Sequence, residues 1–456
     1  MVEYTVPQQI FCLSYLSNIN SLYTRETGSQ EKIQEVTTEY IEAVLSDSEV
    51  QQLIGEWEVV WGPVVYQYDG ETLDSKVSDN TMYIVKSKDN AESDHYVIAI
   101  AGTNPISWYG WIIEDLWVHE TKPWNNGQPW KVNVDDPSPI RVSAGTSRGL
   151  QILCEDMQSD NKLLLDYLKY LTSSASKPIS ITVTGHSLGG TLSAPLALSL
   201  MDRRSEWDSQ SNVPLSVLPL AGLTPGNAEF ALYYDNNLGE VTDRVWNELD
   251  FFPHIWQQHQ PDLLEQTRTL YEPYIQPTGL INLLVDFCKY LSKDWNYQQI
   301  CQNQDGFNIG YNKEAENALI DPSIDAFSKL LAKLIVNALD LPKLLIDTVA
   351  EIISSLIKDL IQNIKSGKTI SGQKINEIDI EPYIEKIIAK IQLEKSDLNT
   401  NELKNNLSGI LSWSNVLDFV KYMSQVFYQH ISAYNEHFKV SEFLECIKRI
   451  TDTKQK

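Results

Sequence analysis

Gly185-His186-Ser187-Leu188-Gly189 sets a serine between two glycines, a spacing suited to nucleophilic catalysis. A serine hydroxyl attacks a carbonyl only when a base takes its proton and backbone donors hold the oxyanion that forms. The flanks suit that task. Residues 179–184 (ISITVT) predict a strand, and the Leu- and Ala-rich stretch 188–202 predicts a helix, with Pro195 expected to kink it. Strand, turn and helix together are the setting of a nucleophile elbow. The turn forces the serine into strained backbone geometry, and a Cβ at either glycine would collide with the neighbouring strand or helix. The helix starting at Leu188 points its free N–H groups and positive dipole end at the serine, which makes Leu188 a candidate oxyanion donor.

An acid and a base are also required. Asp250 follows a strand-like run at 244–247 and comes after the serine, in the chain order Ser, Asp, His. A buried carboxylate there can hold one imidazole tautomer and stabilise the imidazolium that forms. Glu248 is its nearest rival. There are seven histidines. His186 lies in the elbow, where its side chain is expected to turn away from the serine. His95 and His119 precede the serine and break the order. His254, His259, His430 and His437 follow Asp250, and spacing alone leaves all of them open. No HExxH and no Cys/His cluster occurs, so neither a metal nor an organic cofactor is expected.

The elements that must position these groups alternate. A helical pattern spans 30–54, followed by β-type runs at 57–61, 64–68, 81–86 and 96–101. The last of these, YVIAIA, is continuously apolar and predicts a strand buried on both faces. A loop-like stretch, 104–140, carries Trp108, Trp111, Trp117, Trp124 and Trp130. Trp108 and Trp111, together with His186, are candidates for lining a substrate pocket. A helical pattern at 148–172, the elbow strand and helix, and strands at 215–220 and 244–247 complete an α/β alternation that predicts a mainly parallel sheet. Amphipathic segments at 322–340, 343–365 and 381–394 predict helices in the C-terminal half, and a final helical pattern covers 413–450. They are expected to pack on one another and on the core, with docking on lipid as the sharper alternative. The chain thus divides into a core at 1–260, a helical insertion at 261–410, and a returning helical segment at 411–456.

Composition sets bounds. The chain has 456 residues, 42% of them apolar, which excludes wholesale disorder. Its net charge of −25 disfavours nucleic acid as a partner. The five cysteines are scattered and predict buried thiols, not a disulfide framework. No cleavable signal pattern and no transmembrane segment is expected, which suits a protein that is cytoplasmic, or exported without such a signal.

Four separated segments, YVIAIAGTN, GHSLGG, AGLTPGNAEFA and NELDFFPH, resemble the class 3 lipase family of α/β-hydrolases in the family's order. The resemblance covers about 55–255 and a piece near 430. It implies an α/β-hydrolase fold with Ser187 as nucleophile, Asp250 as acid, and the N–H groups of Thr103 and Leu188 as the oxyanion hole. His430 would be the base, since His430-Ile431-Ser432-Ala433-Tyr434 is similar to the family's His-x-x-x-Tyr placement. The family usually separates the proline from the Gly-Asn pair that here reads Pro225-Gly226-Asn227, a departure that concerns packing more than chemistry. The implied activity is hydrolysis of lipid carboxylic esters, at a lipid–water interface, through an acyl-enzyme and without a cofactor. A phospholipase A1 or a short-chain carboxylesterase would share every catalytic part. A hydrolase-fold binding module without activity is the alternative of another class.

Overall fold

Tyr96, Ile98 and Ile100 pack against one apolar layer while Val97 and Ala99 pack against another, so this strand is buried on both sides of a sheet. The computed structural model describes residues 3–67, 80–88, 92–102, 117–132, 136–259, 261–317, 321–366, 379–394 and 399–454. Its main sheet has five strands: β1 (Trp57–Tyr66), β2 (Asn80–Ser87), β3 (Asp94–Ile100), then the strands Ile179–His186 and Leu215–Leu220, adjacent in that order. The runs expected at 57–61 and from 64 onward meet in one strand, β1, which ends at Tyr66 and whose pairing with β2 shifts register on either side of Trp61.

The sheet is mixed, which corrects the expectation of a mainly parallel one. β1 with β2 and β2 with β3 are antiparallel, whereas β3, Ile179–His186 and Leu215–Leu220 run parallel. The link between β2 and β3 explains part of this: residues 88–93 are too few for a crossover helix, so the chain can only fold back. The run at 244–247 does not form a full strand, but Val245 bridges Leu220 in parallel.

Helices cover both faces. On one side lie Ala144–Gln151, Leu164–Ser174 and Leu188–Asp202. On the other lie α1 (Val6–Leu16), α2 (Gln30–Ser46), α3 (Ser48–Ile54) and the C-terminal helix Ser441–Lys454. The pattern at 30–54 divides at Asp47, whose carboxylate accepts from the N–H groups of Glu49 and Val50 and so caps the second helix. The helix expected at 148–172 is interrupted. Asp160 and Asn161 adopt φ of 49° and 58° and close a small hairpin between Gln158–Ser159 and Lys162–Leu163, a turn that Asp and Asn tolerate better than other side chains. Leu188–Asp202 continues as one helix through Pro195.

The C-terminal half is helical: Gly279–Ser292, Asp321–Ala338, Ile346–Ser366, Glu381–Glu394, Thr400–Ile410 and Trp413–Phe427. Side chains from these helices share one apolar cluster with Leu223, Phe251, Phe252, Ile255 and Trp256, so the block rests on the end of the sheet nearest Asp250. The pattern at 413–450 breaks into Trp413–Phe427, a π-helical turn Tyr428–Ser432, Ala433–Phe438 and Ser441–Lys454. All five cysteines are buried and free. Among the described residues, no helix is long and apolar enough to cross a membrane.

Candidate active site

Ser187 sits between the strand Ile179–His186 and the helix Leu188–Asp202 with φ 61° and ψ −121°, a backbone conformation that costs a β-carbon residue strain and is held by its surroundings. Those surroundings are mostly backbone. The Ser187 N–H donates to the Leu220 carbonyl at 3.0 Å, and the Thr191 N–H and Oγ1 donate to the Ser187 carbonyl at 2.9 and 3.1 Å. The close fit explains Gly189: a Cβ on it would lie 2.1 Å from the Ile100 carbonyl oxygen. The serine is buried, and its Oγ has no hydrogen-bond partner among the described residues. Leu188, half-buried, opens the helix, so its N–H is one of those without an acceptor inside the helix.

Asp250 is fully buried and accepts three hydrogen bonds. Its Oδ1 takes the Phe252 N–H at 3.1 Å, and its Oδ2 takes His430 Nδ1 at 2.7 Å and the Tyr434 hydroxyl at 3.1 Å. A carboxylate held by three donors is fixed in its orientation. His430 lies on the π-helical turn Tyr428–Ser432, the kind of irregularity that often marks functional positions in helices. Its ring is fully buried against Phe252, at 4.4 Å between ring centres, and against His186, at 4.7 Å. Ser187, His430, His186 and Gly102 line one narrow cavity of about 30 Å³, space for little more than water.

Asn247 holds acid and imidazole together. Its N–H donates to the Tyr434 hydroxyl at 3.0 Å, and its Nδ2 donates to the Gln429 carbonyl and Oε1 at 3.0 and 2.7 Å. The segment that carries Asp250 is thereby fastened to the turn that carries His430. Neither Asn247 nor Gln429 is singled out by sequence. Only the proximity of Asn247 to the acid could have drawn attention to it.

The remaining histidines fall elsewhere. His254 is buried, and its Nδ1–H donates to the backbone carbonyl of Asp250 at 2.6 Å. His259 is exposed, His437 stacks on Phe307, and His95 pairs with the Thr182 hydroxyl. His119 is exposed beside Glu120. His186 packs its ring against His430 and Tyr434 and is among the residues around the serine's cavity. Burial, and then repulsion from His430, push its pKa well below the ordinary value of 6.5, so it stays neutral near pH 7. Burial, and then the charge of Asp250, raise the Tyr434 phenol well above 10, so it remains a donor. The rival acid, Glu248, accepts from Asn308 at the surface. Thr103, Trp108 and Trp111 lie outside the described residues. One grouping of acidic and thiol ligand types, Asp47, Glu49 and Cys446, occurs among the described residues, but Arg449 bonds both of its carboxylates.

Comparison with known proteins points one way. The profile of the family described as lipase (class 3) matches residues 97–259. The chain is 27% identical over 146 residues to phospholipase A1-II 3 of Oryza sativa subsp. japonica, a match covering 30% of this chain and 34% of that protein. The protein of the same name from Oryza sativa subsp. indica matches to the same extent. The chain therefore spans about a third of the length of these curated relatives. Among solved structures, the crystal structure of M37 lipase is similar with a TM-score of 0.58 and 30% identity, over 73% of this chain and 93% of that one.

Proposed function

Since the chain belongs to the class 3 lipase family, we propose that it hydrolyses carboxylic esters of lipids by acyl transfer through Ser187. The observation that carries this reading is the 2.7 Å bond from His430 Nδ1 to the buried Asp250 carboxylate, beside a cavity that the Ser187 side chain also lines. With its Nδ1–H hydrogen-bonded to Asp250, the imidazole carries its basic lone pair on Nε2, the atom that takes the serine proton. Ser187 Oγ then attacks the ester carbonyl. The carbonyl oxygen becomes an oxyanion, held by the Leu188 N–H at the helix start and, by the family resemblance, by that of Thr103. The imidazolium, stabilised by Asp250, passes its proton to the departing alcohol. Water repeats the sequence to release the acid.

Phospholipase A1 action is the second reading, favoured by the similarity to the rice phospholipases A1-II 3. It uses the same residues and differs only in the pocket. We read 261–410 as a helical insertion in the hydrolase core, since the elements on either side of it bring Asp250 and His430 into contact. Trp108 and Trp111, together with His186, are proposed to line the acyl site.

The test is a panel of p-nitrophenyl esters from acetate to palmitate, with phosphatidylcholine as a further substrate, run on wild type and Ser187→Ala. Turnover that rises with chain length and disappears in the variant supports lipid ester hydrolysis. Release of the sn-1 fatty acid from phosphatidylcholine would favour phospholipase A1. Peak turnover on acetate points to a small-ester esterase, and absence of serine-dependent turnover on every ester would overturn the proposal.

A further inference from the structure

Phe11, Tyr15, Asn18, Ser21 and Leu22 form much of the wall around the serine cavity. They come from an N-terminal segment that lies outside the stretch matched by the family profile. Among them Asn18 makes a specific contact with the catalytic side. It is 8% exposed, and its Oδ1 accepts the N–H of Gly102 at 2.8 Å. Its Nδ2 donates to the Ser14 carbonyl at 3.1 Å and to Ser17 Oγ at 3.3 Å. Because the Gly102 N–H can only donate and the Ser14 carbonyl can only accept, the amide is fixed in one orientation.

The anchorage behind Asn18 is firm. The Tyr83 hydroxyl donates to the Leu13 carbonyl at 2.6 Å, and Phe11 stacks on Phe438 at 4.2 Å. The contact ahead of it is close. Gly102 follows β3, and a Cβ on it would lie 2.8 Å from the His186 carbonyl oxygen and 3.1 Å from Ser187 Cβ. The backbone of residue 102 therefore rests on the elbow itself. It is also where the chain is least restrained from within, since glycine has no Cβ to limit its dihedrals. A side-chain acceptor on that N–H supplies the restraint the residue lacks.

We propose that Asn18 is a positioning residue for the oxyanion hole. It fixes the peptide of Gly102 against the elbow, and Gly102 directly precedes in sequence Thr103, the residue that the family resemblance makes an oxyanion donor. The inference rests on Ser187 being the nucleophile. It assigns a positioning role to the turn that follows α1, in an N-terminal segment that the matched family region does not include.

The experiment compares wild type, Ser187→Ala, Asn18→Leu and Asn18→Asp, with rates counted per active site titrated by a serine-reactive phosphonate. That count separates slower chemistry from a smaller folded fraction. Leucine keeps the size and removes the acceptor, so kcat on p-nitrophenyl butyrate is expected to fall about 10- to 100-fold with KM within about twofold. Inhibition by an alkyl trifluoromethyl ketone, whose adduct is itself an oxyanion, should weaken by a similar factor. Asn18→Asp gives a second reading if the leucine variant does not fold. A carboxyl at this position still offers an oxygen to the Gly102 N–H. The kcat per site of this variant should therefore lie well above that of Asn18→Leu and within about tenfold of wild type. An Asn18→Leu enzyme matching wild type in kcat per site and in ketone inhibition, or an Asn18→Asp enzyme slowed about 100-fold or more per site, overturns the proposal. Full turnover in Ser187→Ala would instead remove the reading beneath it.

Discussion

Replacing Asp250 with Asn tests whether the acid acts by choosing the tautomer of His430. The carboxylate accepts from three donors, the Phe252 N–H on Oδ1 and His430 Nδ1 with the Tyr434 hydroxyl on Oδ2. An asparagine has a single oxygen, so its amide must take one of two orientations. With the oxygen toward His430, its NH2 faces the Phe252 N–H, leaving two buried donors opposed at about 1–3 kcal/mol each. With the oxygen toward Phe252, its NH2 faces His430, which satisfies Nδ1 only as an acceptor. The second arrangement is cheaper, and it moves the imidazole proton to Nε2, where the serine needs a base. The expected loss is about 10⁴-fold in kcat, or about 5.5 kcal/mol at the transition state. Substrate affinity should barely change, since Asp250 is fully buried behind the imidazole. The assay is steady-state hydrolysis of p-nitrophenyl butyrate, with circular dichroism to show that the fold persists. A folded Asp250→Asn enzyme within about tenfold of wild-type kcat would refute the tautomer argument.

Two further outcomes follow from the packing and charges around the site. Burial is the main cause that lowers the pKa of both His186 and His254 in the fold. Below pH ~6.5 the unfolded chain therefore binds protons that the native state does not, and stability falls as pH drops from there until each lowered native pKa is passed. Each group contributes at most about 1.4 kcal/mol per pH unit, so urea midpoints should decline from pH 7 to 5. The decline should be shallower in His254→Gln, and an identical slope in that variant would contradict this account. Gly189→Ala would set a Cβ 2.1 Å from the Ile100 carbonyl oxygen and 2.9 Å from that of Ala101, both backbone atoms. It should cost about 3 kcal/mol or more and most of the soluble yield, whereas a Gly189→Ala protein with the wild-type urea midpoint would show that the elbow is looser than described.

Much of this molecule is written locally. The apolar run ending in Ile100, the strand before His186 and the helix after Ser187 each follow from the composition of a few consecutive residues, and the glycines around Ser187 mark the turn between them. Periodicity does not report the direction in which strands pair. Hence it carries no sign of the mixed sheet, although the short link at 88–93 already requires β2 and β3 to be antiparallel. The hairpin at Asp160-Asn161 interrupts an apolar pattern that reads as one continuous helix, because turn chemistry there outweighs spacing. The N-terminal helix α1 and the turns that follow it show little amphipathic signal and still supply much of the cavity wall.

The choice of histidine shows where sequence runs out. Chain order leaves four rings after Asp250, and nothing in their spacing says which will meet the carboxylate. The family resemblance points to His430, but the contact itself, across 180 residues of chain, exists only because Asn247, Gln429 and Tyr434 fasten two distant segments together. A local pattern can specify a turn, since the atoms that make it are neighbours in the chain. A pairing between distant side chains is decided by the packing of everything between them, and only the folded molecule contains that.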